Sequence, residues 1–180
     1  MKFDWTTDVE NCEGIGKDAA AAMMALAERR LSETVSTAET ITKKAETLLT
    51  ITISLLTIAV GYLLKDARST NSDEFLFNIS LLTLLPLTAA LFFIIRNLLP
   101  YSIDVPGASP KNTFRSSRFD IGLTTDLQYI HLIVDILQQH QDRIDHNEDC
   151  NRRRRNNNFK AQVCFIFLPF VIFLAFVVDL

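Results

Sequence analysis

Three long runs without a charged residue limit what this chain can fold into. They cover residues 47–64, 75–95 and 161–178, and all 39 charged residues of the 180-residue chain lie outside them. A helix of about 20 apolar residues crosses the ~30 Å hydrocarbon core of a bilayer. The sequence therefore predicts an all-α integral membrane protein with three transmembrane helices, an N-terminal hairpin and a C-terminal span. It excludes a secreted globular enzyme, a disulfide scaffold and a disordered tail.

The distribution of Lys and Arg predicts how these spans are oriented. Ten basic residues lie in 96–160 and four lie in the second half of the segment before the first span, whereas the connection 65–74 has only Lys65 and Arg68. Basic residues near span ends stay on the cytoplasmic side. We therefore expect a multi-pass protein with a cytoplasmic N-terminus and an external C-terminus. No cleavable signal peptide is expected, because the first apolar run starts 46 residues into the chain.

Glycine and proline positions divide the chain into segments. Residues 18–60 contain neither, so one helix is expected from about Lys17 to Leu64. Residues 1–46 would be a cytoplasmic helical region continuous with the first span (47–64), followed by an external tip (65–74) and a second span (75–97) kinked at Pro86. Residues 98–160 would hold a cytoplasmic linker and an amphipathic helix capped by Thr124 or Thr125 and antiparallel to the first. Residues 161–180 would be the third span.

One face of the first span carries small and hydroxylated residues. They recur at intervals of three, four, three and four, and we call them the hydroxyl stripe: Thr47, Thr50, Ser54, Thr57 and Gly61. Such residues let membrane helices approach closely and hydrogen-bond across the contact. The stripe is therefore expected either to pack helices together, within the hairpin or between copies, or to line a weakly polar pore around a shared axis.

The predicted cytoplasmic helix has an apolar face with helical spacing. We call its members the apolar stripe: Leu127, Ile130, Val134, Leu137 and Ile144. A face of this kind packs against another helix. If the protein is an adaptor, this stripe is the expected surface for a cytoplasmic partner.

A run of basic residues precedes the third span. Its members are Arg152, Arg153, Arg154, Arg155 and Lys160. Cations at this position hold a span in place and attract anionic lipid headgroups. The alternative is an anion site for a nucleotide or nucleic acid, but no Gly-rich phosphate loop accompanies the run. Because neither cytoplasmic segment is strongly basic overall, no direct nucleic-acid binding is predicted.

No arrangement of residues indicates catalysis, a cofactor or a metal. The cysteines at 12, 150 and 164 fit no disulfide or zinc spacing and are expected to be free thiols. The histidines at 131, 140 and 146 all fall on the predicted cytoplasmic helix, and no third ligand accompanies either of their possible His–Asp pairs. No Asp, Glu, Lys, Arg or His lies within the three charge-free runs, which argues against a coupled transporter. We therefore expect no enzyme, no metal and no cofactor.

The layout resembles small membrane effectors of bacterial anti-phage systems. Residues 43–49 (KKAETLL) are similar to the K-A-x-x-L-L entry into the first span of these proteins. A short hairpin with Pro86, the helical segment 146–151 (HNEDCN) and Lys160 before the last span follow in the same order. The families concerned are the Pycsar transmembrane effectors and related two-span effectors. This chain departs from them in having four arginines besides Lys160, and no nucleotide-pocket residue can be matched.

The resemblance implies a homo-oligomer in the bacterial inner membrane. Such a protein rearranges on an infection or stress signal, delivered by a cytoplasmic sensor protein or a nucleotide, and permeabilises the membrane. The alternative is a non-conducting membrane anchor or adaptor that recruits a cytoplasmic partner through its helices. A third alternative is an accessory subunit of a larger membrane complex.

Overall fold

Three α-helices make up the regular structure of the described residues. The computed structural model describes residues 15–66, 74–107 and 124–178. The helices are α1 (Lys17–Asp66), α2 (Glu74–Leu98) and α3 (Thr125–Val178), with 50, 25 and 54 residues. All three are long and apolar enough to cross a membrane, which confirms the all-α prediction and the number of candidate spans.

The helix boundaries agree closely with the sequence patterns. The helix expected at Lys17–Leu64 ends at Asp66, and α3 continues without a break from the polar segment into the third apolar run. The Leu127 N–H donates to Thr124 Oγ1 (3.4 Å), so Thr124 is the N-cap. Pro86 lies inside α2, and Pro169 lies inside α3. Most of the segment predicted to be an external tip, residues 67–73, lies outside the described residues.

The chain forms two compact units. One, which we call the polar unit, comprises Met1–Ala38 and Ser102–Cys150; the other, the apolar unit, comprises Glu39–Tyr101 and Asn151–Leu180. All three charge-free runs belong to the apolar unit. Both α1 and α3 contribute residues to each unit.

In the polar unit, α1 and α3 pack side by side and run in the same direction. Arg30 Nη2 contacts Glu148 Oε1 at 2.9 Å, and the Lys17 ammonium pairs with Asp126, so partner numbers rise together along both helices. The antiparallel arrangement expected from sequence is therefore wrong. The reason is visible in the sequence, because each helix begins in a polar segment and ends in a charge-free run. If polar segment is to pack on polar segment, and charge-free run on charge-free run, the two helices must run in the same direction.

Small side chains pack the helices of the apolar unit. Six buried residues of α2 recur at intervals of three and four: Ser80, Thr83, Leu87, Ala90, Ile94 and Asn97. On α1 the buried positions are Ile41, Ala45, Thr52 and Ala59. These intervals follow a seven-residue repeat, which keeps one face of a helix against its neighbours over many turns. Alanine, serine and threonine at these positions allow close backbone approach.

Candidate functional site

The hydroxyl stripe lies entirely on the surface of the chain. Every one of its five residues is exposed, whereas Thr52, on another face of the same helix, is fully buried. A Cβ added at Gly61 would meet no atom within 4 Å. The chain's own helices therefore pack on the Ala45, Thr52 and Ala59 face. Of the alternatives left open by sequence, packing within the hairpin is wrong, and contact between copies or a pore lining stay predictions.

The hydroxyl groups of the stripe are bonded to their own helix. Ser54 Oγ donates to the Thr50 carbonyl (2.9 Å) and Thr57 Oγ1 donates to the Ile53 carbonyl (2.8 Å). Thr47 and Thr50 make the same bond to the carbonyls of Lys43 and Glu46. Each donor is thus satisfied within α1. What remains available on this surface is the acceptor capacity of the four oxygens.

A buried polar cluster joins all three helices of the apolar unit. Arg154 on α3 is 6% exposed; its Nε donates to Asn97 Oδ1 on α2 (3.0 Å) and its Nη2 donates to Thr42 Oγ1 on α1 (2.6 Å). Asn97 Nδ2 donates to Asn158 Oδ1, and Asn158 Nδ2 donates to the Ile41 carbonyl (3.3 Å). Because buried polar groups need partners, these bonds fix the register of the three helices.

The cluster divides the arginine run into two kinds of residue. Arg154 is buried, and its guanidinium carbon also lies 5.7 Å from the centroid of the Tyr101 ring. Arg152, Arg153 and Arg155 are exposed, as is Lys160. The headgroup contact predicted for the whole run therefore does not extend to Arg154, because its side chain is turned into the helix interface.

Asn97 and Asn158 were missed by sequence reasoning, although a signal for them existed. Asn97 continues the three-and-four spacing of the buried face of α2, and Asn158 lies four residues after Arg154. Polar residues on an otherwise apolar helical face are typical of a buried hydrogen-bonded layer.

In the polar unit, side chains of α3 bind the backbone of residues 102–107, which we call the strap. Asn147 Oδ1 accepts from the Asp104 N–H (2.9 Å), and Asn147 Nδ2 donates to the Asp104 carbonyl (2.8 Å) and to Thr34 Oγ1 on α1 (3.0 Å). Arg143 Nη1 donates to the carbonyls of Val105 and Gly107. These contacts are made with backbone groups of the strap, so they fix its backbone conformation and do not depend on which side chains it carries.

Two further features complete the strap. Gly107 has a φ of 110°, a conformation that other residues rarely adopt. His146 Nε2 lies 3.1 Å from the Ser102 carbonyl and 3.7 Å from the Cys150 sulfur. Cys150 and Cys164 are free cysteines, and Cys12 lies outside the described residues.

The apolar stripe of α3 is covered by the chain itself. Ile130 and Val134 form a buried cluster with Ile15, and Leu137 packs with Ala20 of α1. Ile144 is also buried, and only Leu127 is partly open to solvent. The prediction that this stripe is the surface for a cytoplasmic partner is therefore wrong, because four of its five residues are buried within the polar unit.

His140 is a buried titratable residue in the same unit. It is 2% exposed, and its Nδ1 has no hydrogen-bond partner. Burial lowers the pKa of the imidazole below its usual value; the charge of Arg143 lowers it further, and that of Glu28 acts in the opposite direction. The geometry favours a neutral, packed histidine. Within the described ranges, no three His, Cys, Asp or Glu residues are placed to hold a metal ion.

Comparison with known proteins adds no relative. No protein-family model, no curated protein and no solved structure matches this chain. Its function must therefore be argued from the exposed stripe, the buried polar cluster and the charges around them.

Proposed function

We propose that this protein inserts in the bacterial inner membrane and assembles with copies of itself through the hydroxyl stripe. The assembly acts as an effector that permeabilises the membrane on an infection or stress signal. The observation that carries the proposal is the position of the stripe. Five small or hydroxylated residues follow one face of an apolar helix, and all five point away from the chain's own packing.

Two considerations support a contact between copies rather than a surface facing lipid. Large apolar side chains occupy the other exposed positions of the first span, including Ile51 and Ile58, so the stripe is distinct from an ordinary lipid-facing surface. Small residues that face acyl chains bring no stabilisation from close packing. Small residues that face another helix let the two backbones approach closely, and the helices gain van der Waals contact. Several copies arranged around an axis would turn these oxygens towards one another and form a narrow, weakly polar passage.

The alternative of a non-conducting adaptor loses its proposed docking surface, because most of the apolar stripe is buried within the polar unit. The trigger would instead act on the polar unit, where a ligand shifts the assembly only by binding one arrangement better than the other. A cytoplasmic sensor protein or a nucleotide signal remains the expected trigger.

The contact between copies is tested by cysteine cross-linking in membranes. In a background with the native cysteines replaced by serine, Ser54→Cys is expected to give disulfide-linked dimers on oxidation. Tyr62→Cys lies on a different exposed face of α1, about 100° around the helix from the centre of the stripe, and serves as the matched control that stays monomeric. Equal cross-linking of both variants, or of neither, contradicts assembly through the stripe.

Permeabilisation is tested with two triple variants that insert equally well. Replacing Thr50, Ser54 and Thr57 with leucine is expected to abolish dye leakage and membrane depolarisation in expressing cells, because the close contact and the polar lining are lost. Replacing Ile51, Ile58 and Val60 with leucine changes three exposed residues without removing a hydroxyl and is expected to leave leakage intact. Undiminished leakage in the first variant rules out the pore lining.

A further inference from the structure

Exposed cations surround the apolar unit at one level of its helices. The buried cluster sets this level, because Arg154 of α3 bonds to Thr42 of α1 and to Asn97 of α2. Within about two turns of these three residues, each helix carries exposed basic side chains. We call them the basic belt: Lys43 and Lys44 on α1, Arg96 on α2, and Arg152, Arg153, Arg155 and Lys160 on α3.

Within the apolar unit, the stretches that carry the belt contain more basic than acidic residues. The stretches 39–46, 96–101 and 151–160 together contain eight Lys and Arg residues, including the buried Arg154, against Glu39 and Glu46. The other end of the hairpin differs: residues 65–74 contain two basic and three acidic residues. The net positive charge therefore lies at one end of the apolar runs, and all three helices contribute to it. A single basic run next to one span would not require basic residues on the other two helices.

The belt borders apolar surface directly. The charge-free runs begin at Thr47 on α1 and Ala161 on α3, and end at Ile95 on α2. The Lys160 ammonium lies 5.5 Å from the centroid of the Phe93 ring on α2. A lysine at the edge of an apolar region keeps its stem on apolar surface and its charge at the polar boundary. The position of Lys160 therefore indicates that the edge of the belt nearest the apolar runs lies at the boundary between acyl chains and headgroups.

We infer that the basic belt binds anionic phospholipid headgroups, with phosphodiester oxygens as the recognised group. Guanidinium groups match phosphate oxygens with two parallel hydrogen bonds, and lysines add point charges. The inference rests on the membrane insertion proposed above but not on assembly or leakage. It adds residues of α1 and α2 to the predicted contact and removes Arg154, which holds the three helices together.

The test compares lipid association in reconstituted vesicles. Spin-labelled phosphatidylglycerol and phosphatidylcholine are added separately to vesicles of phosphatidylcholine containing the full chain, and the motionally restricted fraction of each is measured. We expect the wild type to prefer phosphatidylglycerol about fivefold at low salt, with the preference falling sharply in 0.5 M NaCl. Equal association of the two lipids with the wild-type protein overturns the inference.

Two variants with the same loss of charge locate the effect. Arg152→Gln, Arg153→Gln and Arg155→Gln together are expected to bring the preference close to one. The matched control removes three exposed cations elsewhere, by Lys17→Gln, Arg29→Gln and Lys65→Gln, and is expected to keep the wild-type preference. A preference that survives in the first variant, or is lost equally in the control, also overturns the inference.

Two further measurements distinguish loss of membrane insertion, and binding of a soluble anion, from headgroup binding by the belt. Flotation with vesicles after carbonate washing reports insertion, so failure to float defeats the proposed membrane location, whereas flotation without lipid preference defeats only the belt. Inorganic phosphate at millimolar concentration, compared with NaCl of equal ionic strength, distinguishes a soluble anion site. Selective displacement of phosphatidylglycerol by phosphate would show that the cations recognise a free phosphate rather than the bilayer surface.

Discussion

Arg154 and its neighbour Arg153 have the same side chain and opposite environments. Arg154 is buried between α1 and α2, where it satisfies Asn97 Oδ1 and Thr42 Oγ1. Arg153 is exposed. Removing a buried, hydrogen-bonded charge lowers the free energy of unfolding more than removing a surface charge does. Only the first removal leaves other buried polar atoms without partners.

Arg154→Met is therefore expected to destabilise the protein by about 2–4 kcal/mol, because the buried Asn97 Oδ1 and the partly buried Thr42 Oγ1 lose their donor. The matched change Arg153→Met is expected to stay within about 0.5 kcal/mol of wild type. Unfolding in mixed micelles, followed by the helical circular dichroism signal, measures both variants. Equal stability of the two would show that the buried cluster does not hold the helices together.

His140 makes the polar unit sensitive to acid. Its pKa is lowered in the folded protein by burial and then by Arg143, with Glu28 opposing, so the unfolded chain binds the proton more readily. Stability is then fully present above the ordinary histidine pKa of about 6.5 and is lost as the pH falls below it towards the lowered value. Thermal melts between pH 7.5 and pH 5.5 are expected to show this loss.

Replacing His140 with leucine is expected to weaken this pH dependence, since no buried group remains to be protonated at that position. His131→Gln is the control, because it replaces another histidine of α3 that is only partly buried. A melting profile whose acid dependence is the same in the His140→Leu variant and in wild type would assign the effect to other groups.

At the scale of the element, the strap depends on one amide side chain. Asn147 pairs with both backbone groups of Asp104 and also bonds to Thr34. It thereby ties an irregular segment and a helix to α3 with a single side chain. Such segments open locally when their few hydrogen bonds are lost.

Asn147→Ala is expected to speed hydrogen exchange of the Asp104 amide by roughly ten- to a hundredfold, because its acceptor disappears. Asp142→Ala, an exposed position on the same helix, should leave that exchange rate unchanged. Amide exchange followed by NMR in detergent micelles gives the rate for this single proton. An unchanged rate in the Asn147 variant would mean that the strap is held by its other contacts.

The helices themselves were largely predictable from sequence. The absence of Gly and Pro from residues 18–60 predicted α1, and the threonines at 124 and 125 predicted the start of α3, which the structure places with Thr124 as the N-cap. These signals are local, because caps and helix breakers act within one turn. The direction in which α1 and α3 pair was predicted wrongly, although the order of polar and apolar segments along each helix already determined it.

At the scale of the whole molecule, sequence could not decide which face of a helix meets which neighbour. The hydroxyl stripe and the face containing Ala45, Thr52 and Ala59 are both made of small residues with helical spacing. Only the packing shows that the second is buried and the first is exposed. The Asn97–Asn158 contact joins residues 61 positions apart, and spacing along one helix carries no information about such a pair.

The self-bonded hydroxyls of α1 also bear on which ions a passage would favour. Each O–H already donates to a carbonyl one turn earlier, so the outward side of every oxygen offers lone pairs and no proton. A ring of copies lined in this way would form a passage whose walls offer hydrogen-bond acceptors and no donors. Such a passage would coordinate partly dehydrated sodium or potassium ions and would solvate chloride poorly.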